Sequence, residues 1–307
     1  MSDNTTFDLT KALATRTSSP HTKRAYYRWV DQFLVDLVGI HAPRSQARIE
    51  RMQHLPISRI VPMLQPDRLD MWLHALVNNG HNRQSIDQAR ASIVTLGELL
   101  ANEDHISAGE LKNLKTVSTP IMRPKARQTI TLNRQELNIL MASAHDSNTS
   151  ENQMLRNSIV LMMLCMMALR REELASAKWG DLQRQGNQAI LSIGKSAVQV
   201  PPKLLSALSK WRNAIGTPES DTPLIRRIWK GGSIAQTGLS PDGIWLIVKQ
   251  AADSAGLGNV SPDDLRRSVA GGLRDTNHSL EEISRLLRHK NTTITERYLN
   301  RIPQQLD

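Results

Sequence analysis

Residues 156–174 read R-N-S-I-V-L-M-M-L-C-M-M-A-L-R-R-E-E-L, and this stretch decides what kind of fold the chain adopts. Its apolar part, Ile159 to Leu169, is about half as long as the ~20 residues a membrane-spanning helix needs. Arg156 precedes it, and Arg170 and Arg171 close it. An apolar run too short to span reads instead as a helix buried on most of its surface, with the methionines filling irregular gaps. Cys165, in the middle of the run, reads as an inert core residue. Such a helix needs other elements packed around it. Of 307 residues, 39% are hydrophobic and 22% charged, an ordinary globular balance, and the length suits about two domains.

The charge balance narrows the partner. Lys and Arg total 39 against 29 Asp and Glu, a formal net charge of +10, which points to a polyanion. Nucleic acid leads, and an anionic membrane surface trails it. A single cysteine excludes a disulfide framework and a thiolate metal cluster and suits a reducing compartment. The start, M-S-D-N-T-T-F-D-L-T, lacks the basic segment and apolar run of a secretory signal, so a cytoplasmic protein is expected. No G-x-x-x-x-G-K-[ST] loop and no cluster of ligands at metal spacing is visible, so neither cofactor nor metal is expected.

Working outward from the buried helix, the chain before it is helical. From Ser19, residues Tyr26, Val30, Phe33, Leu34 and Leu37 fall at helix spacing, with Lys23, Arg24 and Arg28 at polar positions. A second helix starts after Gln65-Pro66 and stops at Asn79-Gly80; a third runs from Arg83 to Ala101. No strand pattern appears before residue 120. Residues 112–128 have little periodicity, two prolines and a run of Lys and Arg, including Arg123, Lys125 and Arg127. That segment reads either as a linker laid along a phosphate backbone or as a solvated connector. The expected division is a helical domain over 1–115, a basic linker over 116–130 and a second domain over 131–307. Within the second domain, Asn133 with Glu136 opens a helix, and Ala189–Ile193 and Ala197–Val200 alternate around Gly194-Lys195-Ser196 as a hairpin. Helices resume at Pro202–Ala214 and after Ser240-Pro241, with a short ladder near Leu224–Trp229. The expected fold is mainly α with a small β-sheet in the second domain.

Four segments of this second domain carry basic or nucleophilic side chains at helix ends: Arg170 in A-L-R-R-E-E-L, Arg266 in S-P-D-D-L-R-R-S, His289 in L-L-R-H-K-N and Tyr298 in T-T-I-T-E-R-Y-L. Separately each is weak, since a lone His or Tyr is most often structural. Together they resemble the tyrosine recombinases, or phage integrases. That family's boxes run roughly G-L-R-x-S-E-L, H-D-L-R-R-T, then L-L-G-H followed by T-x-x-x-Y. Here they stand as Ala168–Leu174, Asp263–Ser268, Leu286–His289 and Thr293 with Thr295 before Tyr298. Tyr298 follows His289 by nine residues and His289 follows Arg266 by 23, both as in the family. Lys195 matches the family's lysine on a β-turn, and Thr22–Tyr26 is similar to the start of its core-binding domain.

The resemblance implies a two-domain, C-shaped DNA clamp, with a helical core-binding domain and an α+β catalytic domain. It implies cleavage of duplex DNA by Tyr298 through a 3′-phosphotyrosyl intermediate, without metal or ATP. Arg170, Arg266 and His289 would stabilise the phosphorane and Lys195 would protonate the leaving 5′ oxygen. Lys23, Arg24, Arg28, Arg123, Lys125, Arg127 and Arg267 would contact double-stranded DNA, and a homotetramer would form on two duplexes. The chemistry fits the residue types. Guanidinium forks clamp phosphate oxygens in pairs, and phosphoryl transfer depends chiefly on positioning and charge stabilisation. Glu173 either holds the Arg170 guanidinium or forms a plain surface ion pair.

Three positions depart from the family pattern. Asp263 replaces the histidine of H-x-x-R, turning a donor toward the phosphate into a like charge. Losing one such donor costs ~2.7–4 kcal/mol. Read blandly, Ser261-Pro262-Asp263-Asp264 is a helix start with acids where the dipole favours them. Ala168 and Arg288 replace glycines. Arg267 and Arg288 are both candidates to offset the Asp263 charge. Beyond Tyr298 only L-N-R-I-P-Q-Q-L-D remains, short for the tail helix that many relatives dock into a neighbour. The alternative to an active enzyme is a DNA-binding protein of the same fold disabled by Asp263. A helical protein that is basic for an unrelated reason is a third reading, and predicts no salt-dependent DNA binding.

Overall fold

The computed structural model describes residues 5–40, 46–122, 130–144, 150–185 and 188–302. The chain divides into two compact units, Met1–Ala126 and Arg127–Asp307.

The first unit is built from helices α1 (Leu9–Ala14), α2 (Pro20–Phe33), α3 (Gln46–Gln53), the single turn α4 (Ile57–Ile60), α5 (Pro66–Asn78), α6 (Arg83–Ala101) and α7 (Ala108–Thr116). The boundaries have local causes. Ser19 caps α2 by accepting from the Thr22 amide, Pro20 and Pro66 occupy first-turn positions, and Asn82 caps α6. The core gathers Trp29, Phe33, Trp72, Leu73, Ile86 and Ile93, with Trp72 edge-on to both Trp29 and Phe33. Two expectations need correction. A two-residue antiparallel pair, β1 (Thr6–Phe7) with β2 (Leu55–Pro56), precedes residue 120; its partners lie too far apart in sequence to alternate visibly. The linker also begins later than its composition suggests. Residues 112–116 belong to α7, which is held by a Ser107–Glu110 capping box, and Val117 is buried in the first core.

The second unit contains α8 (Arg134–Ala142), α9 (Glu151–Met167), α10 (Arg171–Ser176), α11 (Pro202–Ile215), α12 (Pro241–Ser254), α13 (Pro262–Asp275), α14 (Leu280–Leu287) and α15 (Thr292–Leu299). The Met-rich helix α9 is its centre. Ile159 to Leu164 are all buried, and burial pushes the Cys165 thiol up to about 12. Each such side chain contributes ~1.5–3 kcal/mol when taken from water. Among the described residues no helix is long and apolar enough to cross a membrane. A three-stranded antiparallel sheet, β3 (Leu182–Gln185), β4 (Gln188–Ile193) and β5 (Ser196–Gln199) in the order β3-β4-β5, contributes Ala189, Leu191 and Val198 to the same core. The predicted hairpin is there with a two-residue turn. Ile193 pairs with Ser196, and Gly194, at φ +60°, supplies the left-handed residue the turn requires. The sequence pattern did not reveal β3, whose L-Q-R-Q has no apolar alternation. The expected ladder near Leu224–Trp229 is β6 (Arg226–Ile228) paired with β7 (Ile234–Gly238).

Candidate active site

The site is assembled at the C-terminal ends of α9 and α14 and the N-terminal end of α13. Helix α9 stops at Ala168, whose φ of +47° is left-handed, and the chain re-enters α10 with Arg170 at its N-cap. Helix α14, opened by the Ser279–Glu282 capping box, stops in the same way at Arg288, with φ +55°. These are the two positions where the family boxes carry glycine, and the backbone shows why: glycine adopts that conformation without cost. Helix α13 starts with Ser261 as N-cap, Pro262 at N1 and the two acids behind it, as the sequence suggested.

Arg266, on the first turns of α13, is 3% exposed. Its guanidinium donates to the Ala168 carbonyl at the end of α9 and to the Leu287 carbonyl at the end of α14. Burial, reinforced by Arg170 and Arg288, lowers its pKa to about 10, which leaves it charged. Arg170 donates from its backbone amide to Glu173 Oε2 at 2.8 Å and from Nη1 to Glu173 Oε1 at 3.1 Å. The Glu173 carboxylate also accepts from Arg288, Nη2 to Oε2 at 2.7 Å. Burial alone would raise the Glu173 pKa, but hydrogen bonds from Arg288 and from the Arg170 amide, with the arginine charges, hold it below the usual carboxylate range.

His289 stands edge-on to Tyr298, ring centres 5.6 Å apart. Its Nδ1 is 2.8 Å from the hydroxyl of Thr295, a fully buried residue one turn before Tyr298. Burial, then the charges of Arg266, Arg170 and Arg288, lower the His289 pKa to about 4. The ring is therefore neutral at pH 7. When Thr295 donates to Nδ1, the ring proton resides on Nε2. The Tyr298 pKa is raised, first by burial and further by Asp263, while Arg266, Arg267 and Arg170 oppose the rise. One electrostatic neighbourhood thus holds Arg170, Arg266, His289, Tyr298, Arg267 and Asp263. Lys195, exposed at the hairpin turn, lines an open cleft with Glu173, Lys178, Asp181 and Arg288.

The two candidates for offsetting Asp263 do something else. Arg267 pairs with Asp264, which is 1% exposed and also accepts from the Ser261 amide at 2.9 Å. Arg288 is matched by Glu173. Asp263 itself is exposed on the first turn of α13. In the first unit, Lys23, Arg24 and Arg28 lie on α2, Arg24 and Arg28 exposed and Lys23 half-buried. The Arg28 guanidinium stacks 4.7 Å from the Trp29 ring centre. Arg123, Lys125 and Arg127 lie outside the described residues. Among the described residues no group of three His, Cys, Asp or Glu is placed to hold a metal ion.

The model of the phage integrase family matches residues 131–305, more than half of the chain. The chain belongs to the phage integrase family. Its relatives within that family include the tyrosine recombinase XerC of Corynebacterium glutamicum, 25% identical over 233 residues, covering 75% of this chain and 72% of the relative. The tyrosine recombinase XerD of Listeria monocytogenes is 25% identical over 230 residues, covering 71% and 72%. In fold, this phage integrase family member is similar to the XerH site-specific recombinase bound to its difH substrate in a pre-cleavage complex. The TM-score is 0.58 at 16% identity, over 90% of this chain and 93% of that one. It is also similar to the Tn1549 transposon integrase in complex with a circular intermediate DNA, with TM-score 0.59 at 14% identity, over 94% and 93%. As a tyrosine recombinase the protein is an enzyme of DNA recombination.

The boxes located the side chains that the fold brings together, but not what holds them. The Thr295–His289 contact and the Ala168 carbonyl shared by Arg266 and Arg288 were not anticipated. The six-residue spacing of Thr295 from His289 was a usable signal, because Thr295 falls inside the T-x-x-x-Y box. The Ala168 contacts join residues about a hundred positions apart and leave no local trace.

Proposed function

We propose that the protein is a site-specific recombinase that cuts and rejoins duplex DNA through Tyr298. The observation that carries this reading is the convergence of Arg170, Arg266, His289 and Tyr298, from four separate sequence segments, on one electrostatic neighbourhood: two guanidiniums and a neutral imidazole around a phenol. In the reaction, Tyr298 Oη gives up its proton to solvent and attacks the scissile phosphorus, the P–O5′ bond breaks, and a 3′-phosphotyrosyl ester and a 5′ hydroxyl result. The phosphotyrosyl bond retains the energy for rejoining, so no nucleotide is consumed. Arg170 and Arg266 bind the nonbridging oxygens through guanidinium forks, and neutral His289 donates from Nε2. Lys195, on the hairpin turn, passes a proton to the leaving 5′ oxygen. Lys23, Arg24, Arg28, Arg123, Lys125 and Arg127 contact the DNA backbone, and the paired sites of recombination call for a tetramer on two duplexes, working in the cytoplasm.

A second reading, a DNA-binding protein that no longer cleaves, is favoured by one observation: the Asp263 charge opposes ionisation of Tyr298. Covalent trapping separates the two. Nicked duplexes tiled from the DNA flanking the protein's own gene are incubated with wild type, Tyr298→Phe and Asp263→His, then resolved under denaturing conditions. A slow band from wild type that vanishes in Tyr298→Phe is the expected result. A band from Asp263→His alone assigns the chain to the binding protein.

A further inference from the structure

Arg288 occupies a position where the backbone has φ +55° and where a glycine would be free of strain. Its side chain is 4% exposed, and all five of its N–H groups are engaged. Nε and Nη2 grip the two oxygens of Glu173 at 3.3 and 2.7 Å. Nη2 also donates to the Ala168 carbonyl at 2.8 Å. Nη1 donates to Leu286 O at 2.6 Å and Met167 O at 3.4 Å. No donor is left over for a phosphate. The carboxylate that Arg288 grips is the same one that holds the amide and guanidinium of Arg170, and the Ala168 carbonyl is the same one that anchors Arg266.

We infer that Arg288 is a positioning residue: it fixes Glu173 so that Glu173 presents the exposed Arg170 guanidinium to the scissile phosphate without consuming it. With its carboxylate shared between two guanidiniums, Glu173 binds Arg170 through one side-chain contact of 3.1 Å. Without Arg288, both oxygens would turn to Arg170 as a closed bidentate pair, withdrawing from the phosphate the N–H groups that clamp it. The grip on the Met167, Ala168 and Leu286 carbonyls holds the Arg288 side chain itself in place, so that its fork stays turned to Glu173. Glycine at this position could not perform that task.

This inference rests on the recombinase reading, and the experiment keeps their failures apart. Wild type, Tyr298→Phe, Arg288→Gly, Arg288→Lys, Glu173→Gln and the Arg288→Gly/Glu173→Gln double variant are exposed to a pool of nicked duplexes with randomised flanks. The duplex most enriched in wild-type covalent complexes serves for rate and affinity measurements. Arg288→Gly is expected to bind that duplex within ~3-fold of wild type and to form covalent complex ~10–100-fold more slowly, the scale of a misplaced catalytic group. In the Glu173→Gln background the same substitution should change the rate by less than ~3-fold, since its effect runs through Glu173. Arg288→Lys, which keeps the charge and stem but not the fork, should fall between wild type and Arg288→Gly. Should Arg288→Gly not fold, Arg288→Lys decides, and a wild-type rate from it overturns the inference. Equal rates for Arg288→Gly and wild type, or effects that multiply in the double variant, also overturn it. Failure of wild type to capture any duplex, or equal capture by Tyr298→Phe, overturns the recombinase reading and this inference with it.

Discussion

Each unit of the molecule contains a carboxylate set between two arginines, and the two arrangements serve different ends. In the first unit Asp31, 2% exposed, lies 2.9 Å from Arg48 Nε and 3.0 Å from Arg51 Nη1; their side chains are 34% and 13% exposed. In the second, Glu173, 16% exposed, lies between Arg288 at 4% and Arg170 at 43%. In the first case the carboxylate is the most buried member and the arginines converge on it, so the triad joins α2 to α3 and stabilises the unit. In the second case a buried arginine backs the carboxylate, which in turn holds an arginine open to solvent. The same three groups make a structural lock or a support for a solvent-facing guanidinium, according to which member faces outward.

The largest test of that difference is to remove one member from each triad. Asp31→Ala leaves two cations without their buried counter-charge and should cost ~3–5 kcal/mol of stability, read from the denaturant midpoint of the first unit. Arg170→Ala leaves Glu173 paired with Arg288, so stability should change by under ~1 kcal/mol. Cleavage should fall by about 10²–10³ instead. Equal destabilisation by the two variants would erase the distinction. A smaller effect comes with pH. His289 is held down to about 4 against an ordinary value of 6.5, so folding favours its neutral form. Its contribution is complete above pH ~6.5 and is lost as pH falls toward 4, because the unfolded chain binds the proton first. The wild-type melting temperature should fall more steeply between pH 7 and 4.5 than that of His289→Gln; parallel slopes would show that the half-buried histidine is not held neutral by its arginine neighbours. The smallest effect is expected at Ala168. Substituting glycine relieves a left-handed backbone by ~1 kcal/mol and gives up a fully buried methyl worth ~0.8 kcal/mol, so thermal stability should hardly move.

How much of this was legible in the sequence depended on distance along the chain. Helices α2, α5, α6 and α9 were marked by apolar spacing, and the start at Ser19, the start after Gln65-Pro66 and the stop at Asn79-Gly80 were local signals, whereas the Asn82 and Ala168 caps emerged only from the fold. The turn at Gly194-Lys195 was readable because strand alternation flanks it. The candidate site side chains were picked out by box order and spacing. Their supports were not. Arg288 meets Glu173 across 115 positions, and Arg266 meets Ala168 across 98, so only the folded chain brings donor and acceptor together. The partners of the acids were misjudged for a related reason: both Asp263 and Asp264 lie within a helical turn of Arg267, and the N3 position, not the sequence spacing alone, gives the buried contact to Asp264.

The helix bearing Tyr298 rests on a patch of its own. Ala168, Ala270, Ile283, Leu287, Leu299 and Ile302 form a small apolar cluster separate from the main core around α9. A satellite of that size opens at lower free energy than the core beside it. Arg274 crosses the patch to donate to the carbonyls of Leu299 and Ile302, the main polar tie at its far end. On warming, Tyr298 is therefore expected to leave its ring of cations while the main body around α9 is still intact.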